Sequence, residues 1–200
     1  MVNLLTRFYE PDRGSISVDG VDIFEIPKKD LRHIVSIVLQ DTVLFSDTIR
    51  NNIRYGHPEA TDEQVRRAAE AAEADGFIDR LPMGYDTVLA EGGSNLSQGQ
   101  RQLLAIARAV LADPKVLILD EATSNVDTRT EQRIQRAMQA LMENRTSLII
   151  AHRLSTVLDS DRIVVIRDGA VAETGKHEEL LALGGEYAKL YQSQFAGVAT

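Results

Sequence analysis

The sequence predicts an α/β fold built on a parallel sheet, because short apolar runs alternate with amphipathic helical patterns. Apolar runs predict strands at 34–39, 116–120, 147–151 and 162–166. The residues that recur at helical spacing between the second and third runs are Ile134, Met138, Leu141 and Met142. Strands that alternate with helices are typical of a parallel sheet covered by helices, and this predicts the core of the protein.

The segment ahead of this alternation starts with short elements. Residues 2–9 resemble the end of a helix, which the turn-forming cluster 11–14 terminates. Ile16–Val18 predicts a short strand that Asp19-Gly20 closes. The strand predicted at 34–39 follows them.

A block of helices is predicted between residues 48 and 112. A capping box formed by Thr61 and Gln64 marks the start of one helix, and Gly76 is expected to stop it. We therefore expect a helical subdomain over approximately 46–112, inserted into an α/β core made of 1–45 and 113–200. This division predicts one domain with a subdomain on one edge.

Composition narrows the class of protein. The chain has 200 residues, 44% of them hydrophobic, which suits one domain, and a net charge of −8. No stretch clusters five Lys and Arg residues, which disfavours nucleic-acid binding. Cysteine is absent, which excludes disulfides and thiolate metal sites. No apolar run approaches the ~18 residues of a membrane span, so we expect the chain alone to be soluble.

The most informative segment runs from Leu96 to Gln100. Ser97 and Gln100 form a second capping box, and capping alone would explain that serine. Gly99 argues for more, because glycine in a helix costs about 1 kcal/mol relative to alanine. A glycine in the first turn is favoured where backbone N–H groups approach a phosphate, which the helix dipole also attracts.

Two adjacent acids, Asp120 and Glu121, follow the apolar run 116–119. Parallel sheets bind ligands beyond the carboxyl ends of their strands, where these acids fall. Neighbouring strand residues point to opposite sides, so one carboxylate can hold Mg²⁺ through water while the other orients or deprotonates a water. The alternative is an acid pair on the protein surface without a function. The longer motif from Asp120 to Asp127 argues against this alternative.

Two further polar residues end predicted strands. His152 follows the run 147–151, and Gln40 follows 34–39. A structural histidine and a surface glutamine are the alternatives. In a parallel sheet, however, both would converge with Asp120 on one edge.

In this order the elements resemble the signature motif, Walker B motif and switch histidine of the ATP-binding-cassette (ABC) ATPases, over residues 1–195. The wording of 39–53 resembles the exporter branch, particularly multidrug- and lipid-type bacterial half-transporters. The resemblance implies a P-loop NTPase (RecA-like) core. It also implies ATP hydrolysis coupled to transmembrane transport, with ATP and Mg²⁺ as cofactors.

The resemblance also implies roles for single residues. Gln40 is similar to the coupling-loop glutamine near Mg²⁺ and water, and Asp120 to the Mg²⁺-associated aspartate. Glu121 resembles the catalytic base, His152 the γ-phosphate switch and Asp127 the dimer-communication aspartate. The positions that resemble signature contacts to ATP in the opposite subunit are Ser97, Gln98, Gly99 and Gln100. Gln98 stands where the family more often has glycine.

The implied partners are a second ABC ATPase domain and a membrane-spanning transporter domain, without nucleic acid. The implied location is the cytoplasmic face of the plasma membrane.

The phosphate-binding loop of such ATPases, Gly-x-x-x-x-Gly-Lys-Ser/Thr, does not occur in these 200 residues. Residues 2–5 resemble the helix that directly follows this loop. We therefore expect a domain whose N-terminal part is missing, and which is inactive alone. Two alternatives stay open: a non-catalytic fragment that pairs with an intact ABC ATPase, and a soluble ABC ATPase outside transport. The exporter-like wording and the lack of a basic face count against the second.

Overall fold

The computed structural model describes residues 2–39, 42–120, 126–151 and 156–196, with side chains up to residue 193. The chain forms two compact units, residues 1–150 and 151–200. No helix among the described residues is long and apolar enough to cross a membrane. The boundaries 46–112 of the helical subdomain stay a prediction.

The first unit opens with helix α1 (Val2–Leu5) and an antiparallel hairpin of β1 (Ser17–Val18) and β2 (Val21–Asp22). The predicted strand near 16–18 and its Asp19-Gly20 turn are confirmed. Both turn residues have positive φ, 50° and 81°, as the tightest hairpin turns require.

Helix α2 (Lys28–Ile34) was not predicted. Pro27 precedes it with φ near the helical value, Asp30 lies in its first turn and Arg32 in its last, an arrangement that suits the helix dipole. Because α2 includes Ile34, the strand predicted at 34–39 is shorter and becomes β3 (Val35–Val38).

A three-stranded parallel sheet confirms the predicted core. β3 pairs with β4 (Val116–Asp120), and β4 pairs with β5 (Thr146–Ile150). In the central strand, three consecutive aliphatic side chains are fully buried: Leu117, Ile118 and Leu119. Such a continuous apolar run is what a parallel strand needs when helices cover both faces.

The block between β3 and β4 is helical, as predicted, but in separate pieces. It contains α3 (Ile49–Arg54), α4 (Asp62–Ala71), α5 (Asp75–Ile78) and α6 (Gln98–Ala112), with single 3₁₀ turns between α5 and α6. The capping box of Thr61 is confirmed. The stop predicted at Gly76 is wrong, because α4 ends at Ala71, followed by Glu73 with φ of 53°, and Gly76 lies inside α5.

Both faces of the central strand are covered. Leu117 and Leu119 join one core cluster with buried residues of α3, α4, α6 and α7 (Thr128–Met142). Ile118 points the other way and packs with Leu31 of α2 and Ile23. The helical block and one face of the sheet therefore share a core cluster.

The second unit holds β6 (Ile163–Arg167), β7 (Ala170–Gly175), α8 (His177–Leu183) and α9 (Glu186–Ala196). The strand predicted at 162–166 exists, but its placement in the parallel sheet is wrong. β6 pairs antiparallel with β7, across a turn at Asp168-Gly169 whose residues have positive φ. Aspartate-glycine between two strands favours a hairpin, a signal that the prediction above did not take into account.

Candidate functional site

The carboxyl ends of β3, β4 and β5 lie side by side. Val38 pairs with Leu119, and Asp120 pairs with Ile150, so the segments that leave the three strands start at one edge. The strand ends are adjacent as predicted, whereas the convergence of Gln40, Asp120 and His152 at this edge stays a prediction. Gln40, Glu121 and His152, which follow these ends by one or two residues, lie outside the described residues.

Asp120 is the predicted residue of this edge that the structure describes. It is the last residue of the central strand and is half-buried. Its carboxylate, with the amide oxygen of Gln40, is the type of oxygen ligand that Mg²⁺ prefers. Within 2–39, 42–120, 126–151 and 156–196 no group of three His, Asp or Glu residues could hold a metal ion. The Mg²⁺ role of Asp120 stays a prediction.

The predicted capping box at the start of α6 is present. The Ser97 hydroxyl accepts from the Gln100 N–H at 3.2 Å, and the Gln100 side-chain oxygen accepts from the Ser97 N–H at 3.0 Å. The first-turn N–H groups of Gln98 and Gly99 have no acceptor within the helix, as at the start of any α-helix. They are the donors that this helix can present to an anion, together with its dipole.

Gly99 has a packing role that its local sequence did not indicate. A Cβ at this position would lie 2.3 Å from Cγ2 of Thr130 and 3.2 Å from Cγ1 of Val126. The first value is far inside van der Waals contact, so α6 approaches the start of α7 at a distance that only glycine allows. Close packing therefore explains the glycine without a phosphate, although the two reasons are compatible.

Asp127 is the N-cap of α7. Its carboxylate accepts from the Thr130 N–H at 3.0 Å. The pKa of the Asp127 carboxyl is lowered, first by a hydrogen bond from the Thr130 side chain and then by that backbone bond. The aspartate of the predicted dimer-communication position thus starts a helix, a function that Asp followed by a helical pattern often has.

A second set of contacts fixes the loop before the signature. Arg101 donates to the carbonyl oxygen of Leu96 at 2.7 Å. Gly93 has φ of 69°, and a Cβ there would lie 2.8 Å from Cδ1 of Leu44. Leu44 belongs to the segment that follows β3, so this segment and the signature loop pack on each other.

The same segment is fastened to α6 by Arg108. The guanidinium donates to the carbonyl oxygens of Asn52 and Val43, each at 3.0 Å. It also lies over the rings of Phe45 and Tyr55, 5.6 and 5.4 Å from their centroids. Burial lowers the pKa of Arg108. The helical spacing of α6 did not reveal this role, because the acceptors are backbone atoms of other elements.

The central strand of the parallel sheet ends in an acid, Asp120. The segment that follows β3 packs on α6, whose first-turn N–H groups have no acceptor within the helix. A family model described as ABC transporter matches residues 1–124, more than half of the chain. The chain belongs to the ABC transporter family. The predicted family, and a P-loop NTPase core of this type, are thereby confirmed.

Similar proteins of this family come from several bacteria. The ABC transporter ATP-binding protein YfiC of Bacillus subtilis is 57% identical over 195 residues, which are 98% of this chain and 32% of that protein. An ATP-dependent lipid A-core flippase of Desulfotalea psychrophila is 54% identical over 97% of this chain and 34% of its own length. A fatty acid ABC transporter ATP-binding/permease protein of Mycobacterium bovis is 53% identical over 95% of this chain and 30% of its own length.

A solved structure agrees with the sequence relatives. A bacterial Atm1-family ABC exporter with ATP bound matches with a TM-score of 0.90 and 48% identity, over 96% of this chain and 34% of that one. The chain spans about a third of the length of the curated relatives that it matches. The chain therefore matches one part of each of these transporters and not their whole length.

Proposed function

We propose that these residues are part of the ATP-hydrolysing domain of an ABC exporter, which couples ATP hydrolysis to transmembrane transport. The observation that carries the proposal is the adjacency of the three parallel strand ends, from which Gln40, Glu121 and His152 follow within two residues. The relatives support it, since one is named an ATP-dependent flippase and another an ATP-binding/permease protein. The alternative of an ATPase outside transport has no such support.

At the strand edge, each residue takes a distinct part. Asp120 and Gln40 would hold Mg²⁺ through oxygen atoms, and the bound ion would supply positive charge at the phosphates. Glu121 orients the attacking water and accepts its proton, which is the task of a base in phosphoryl transfer. His152 contacts the γ-phosphate by hydrogen bonding.

The signature helix acts on ATP held by a second ATPase domain. Ser97 caps α6, whose first turn contains Gln98, Gly99 and Gln100. The N–H groups of Gln98 and Gly99 have no acceptor within the helix, which suits a phosphate. Asp127 lies at the start of the adjoining α7, close to this turn. The partners are thus a second ABC ATPase domain and a membrane-spanning domain, which selects the transported compound. The proposed location is the cytoplasmic side of the membrane.

The direct test is a chimera in which this chain replaces the matching 195-residue stretch of the Bacillus subtilis relative. That relative then supplies the rest of the polypeptide. We expect Mg²⁺-dependent ATP hydrolysis by the purified chimera. Ser97→Arg should abolish it, because a long cation would fill the space that the first turn of α6 offers to a phosphate.

Ser97→Ala is the matched control. It removes the cap, which costs about 1 kcal/mol of stability, but leaves the N–H groups of the turn accessible. It should keep measurably more turnover than Ser97→Arg. A folded chimera without ATP hydrolysis would overturn the proposal. Equal losses of turnover for Ser97→Arg and Ser97→Ala would show that the first turn of α6 does not contact ATP.

A further inference from the structure

Segment 43–45, which follows β3, is held in place by one arginine of α6. The Arg108 guanidinium donates to the carbonyl oxygens of Val43 and Asn52, each at 3.0 Å, and to the Asn52 side-chain oxygen at 3.3 Å. Asn52 in turn accepts from the N–H of Phe45 and donates to the carbonyl oxygen of Phe45. Both ends of the segment are therefore bound to Arg108, one directly and the other through Asn52.

Arg108 also holds the chain where α3 ends. In a continuing α-helix the N–H of Gly56 would donate to the carbonyl oxygen of Asn52, but it donates to Ile53 instead. The Asn52 oxygen is thus open to the guanidinium, whose positive charge suits the carboxyl end of a helix. A Cβ at Gly56 would lie 2.2 Å from the carbonyl oxygen of Arg108, so the chain that leaves α3 lies directly on the backbone of α6.

The loop before the signature rests on the middle residue of this segment. Leu44 is buried, and a Cβ at Gly93 would lie 2.8 Å from its Cδ1 and 3.2 Å from Cδ of Arg101. The Leu96 N–H donates to the carbonyl oxygen of Gly93 at 2.9 Å, and the Leu96 carbonyl oxygen accepts from Arg101 at 2.7 Å. Leu96 directly precedes Ser97, the N-cap of α6. The loop that leads into the signature turn therefore has Leu44 as its support.

We propose that Arg108 is a positioning residue for the signature turn of its own chain, and that it acts through Leu44 on the loop 93–96. The guanidinium fixes segment 43–45, Leu44 supports the loop, and the loop sets the place of Ser97 and of the N–H groups that follow it. Because the segment follows β3, the same path connects the strand edge with the signature turn. The link to ATP rests on the proposed function, whereas the contacts themselves do not.

Hydrogen exchange in the full 200-residue chain tests this path without ATP. Arg108→Lys keeps the charge, but an ammonium group cannot reproduce the planar fork that reaches several acceptors at once. We expect the Leu96 amide to exchange about tenfold faster in this variant, because the loop opens more easily. The Tm should fall by about 5 °C, as for other losses of a hydrogen-bond network.

Arg145→Lys is the matched control, since Arg145 also binds several acceptors. They are two backbone carbonyl oxygens and one carboxylate, at 3.0, 2.6 and 2.7 Å, on Pro114, Leu141 and Asp113. These groups lie before β4 and at the end of α7, away from the strand edge. The control should lower the Tm similarly and leave the Leu96 exchange rate within about twofold of the parent rate. Equal acceleration in both variants, or none in Arg108→Lys, would overturn the proposal.

Leu44→Ala tests whether the path runs through Leu44. It removes the support of the loop and leaves the backbone acceptors of Arg108 in place. The Leu96 amide should exchange faster, as in Arg108→Lys. The double variant should exchange within about twofold of the faster single variant, because both changes break one path. Accelerations that multiply in the double variant would show two separate effects and refute the relay.

Turnover in the chimera connects the path to ATP. Arg108→Lys should lower the ATP turnover number about tenfold or more, because small misplacements of a positioning group are that costly. Arg145→Lys, at a similar Tm, should keep the turnover number within about twofold of the parent. Faster Leu96 exchange with unchanged turnover would refute the role of Arg108 in hydrolysis while the proposed function stands. A parent chimera without hydrolysis would refute the proposed function alone, since hydrogen exchange decides the path.

Discussion

Glu121→Gln in the chimera is expected to lower the ATP turnover number by about 10²-fold or more, with little change in the KM for ATP. Glutamine keeps the size of the side chain but cannot accept a proton from water. Because the carboxylate acts on the chemical step, the loss should fall on kcat. Steady-state hydrolysis over a range of ATP concentrations separates the two constants.

Glu59→Gln is the control, because Glu59 is an exposed carboxylate in the loop before α4. It removes the same charge from the chain and should leave both constants unchanged. Hydrolysis by the Glu121→Gln variant at the parent rate would show that another group serves as the base.

Asn52→Ala is expected to reduce the free energy of unfolding by about 3 kcal/mol, because it leaves buried backbone groups unpaired. The Asn52 side chain is 1% exposed. It accepts from the Phe45 N–H at 2.9 Å and donates to the carbonyl oxygens of Phe45 and Thr48, each at 3.0 Å. It also accepts from the half-buried Arg108 at 3.3 Å. Denaturant unfolding of the full chain measures the loss.

The neighbouring Asn51 offers a matched control on the same helix. It is exposed, and its side chain donates to the Asp47 carboxylate at 3.0 Å, where water can replace it. Asn51→Ala should cost less than about 0.5 kcal/mol. Similar losses for the two alanines would mean that the Asn52 network does not hold the segment after β3 against α6.

Local signals in the sequence predicted the parts of the fold that depend on near neighbours. The capping boxes at Thr61 and Ser97 formed as expected, because both members lie within one helical turn. The run 116–120 was long and apolar enough to specify a buried strand. The position of Asp120 at the end of this strand could also be read from the sequence, because the acid directly follows the apolar run.

Strand periodicity does not specify a partner, so β6 was assigned to the parallel sheet although the local turn at Asp168-Gly169 pairs it with β7. Other features depend on distant partners or leave no periodic pattern in the sequence. The short α2 buries a single residue, Leu31, and gives no periodic pattern. Gly99 was attributed to phosphate binding, since Thr130, which it packs against, lies on another helix.

The central claim is that the signature turn of this chain serves an ATP bound by a second domain, and a mixing experiment tests it most directly. The partner is the ATPase domain of a relative whose own signature serine, at the position that matches Ser97, is changed to arginine. Partner homodimers then lack a working signature. The phosphate-loop pattern does not occur in these 200 residues, so we expect homodimers of this chain to show no hydrolysis either.

Hydrolysis in the mixture therefore requires one molecule of each kind. We expect ATP turnover that appears only on mixing, survives Glu121→Gln in this chain and disappears with Ser97→Arg. The partner supplies the phosphate loop, acids and histidine of that site, while this chain supplies the donors at the start of α6. Turnover that disappears with Glu121→Gln and survives Ser97→Arg would contradict the claim.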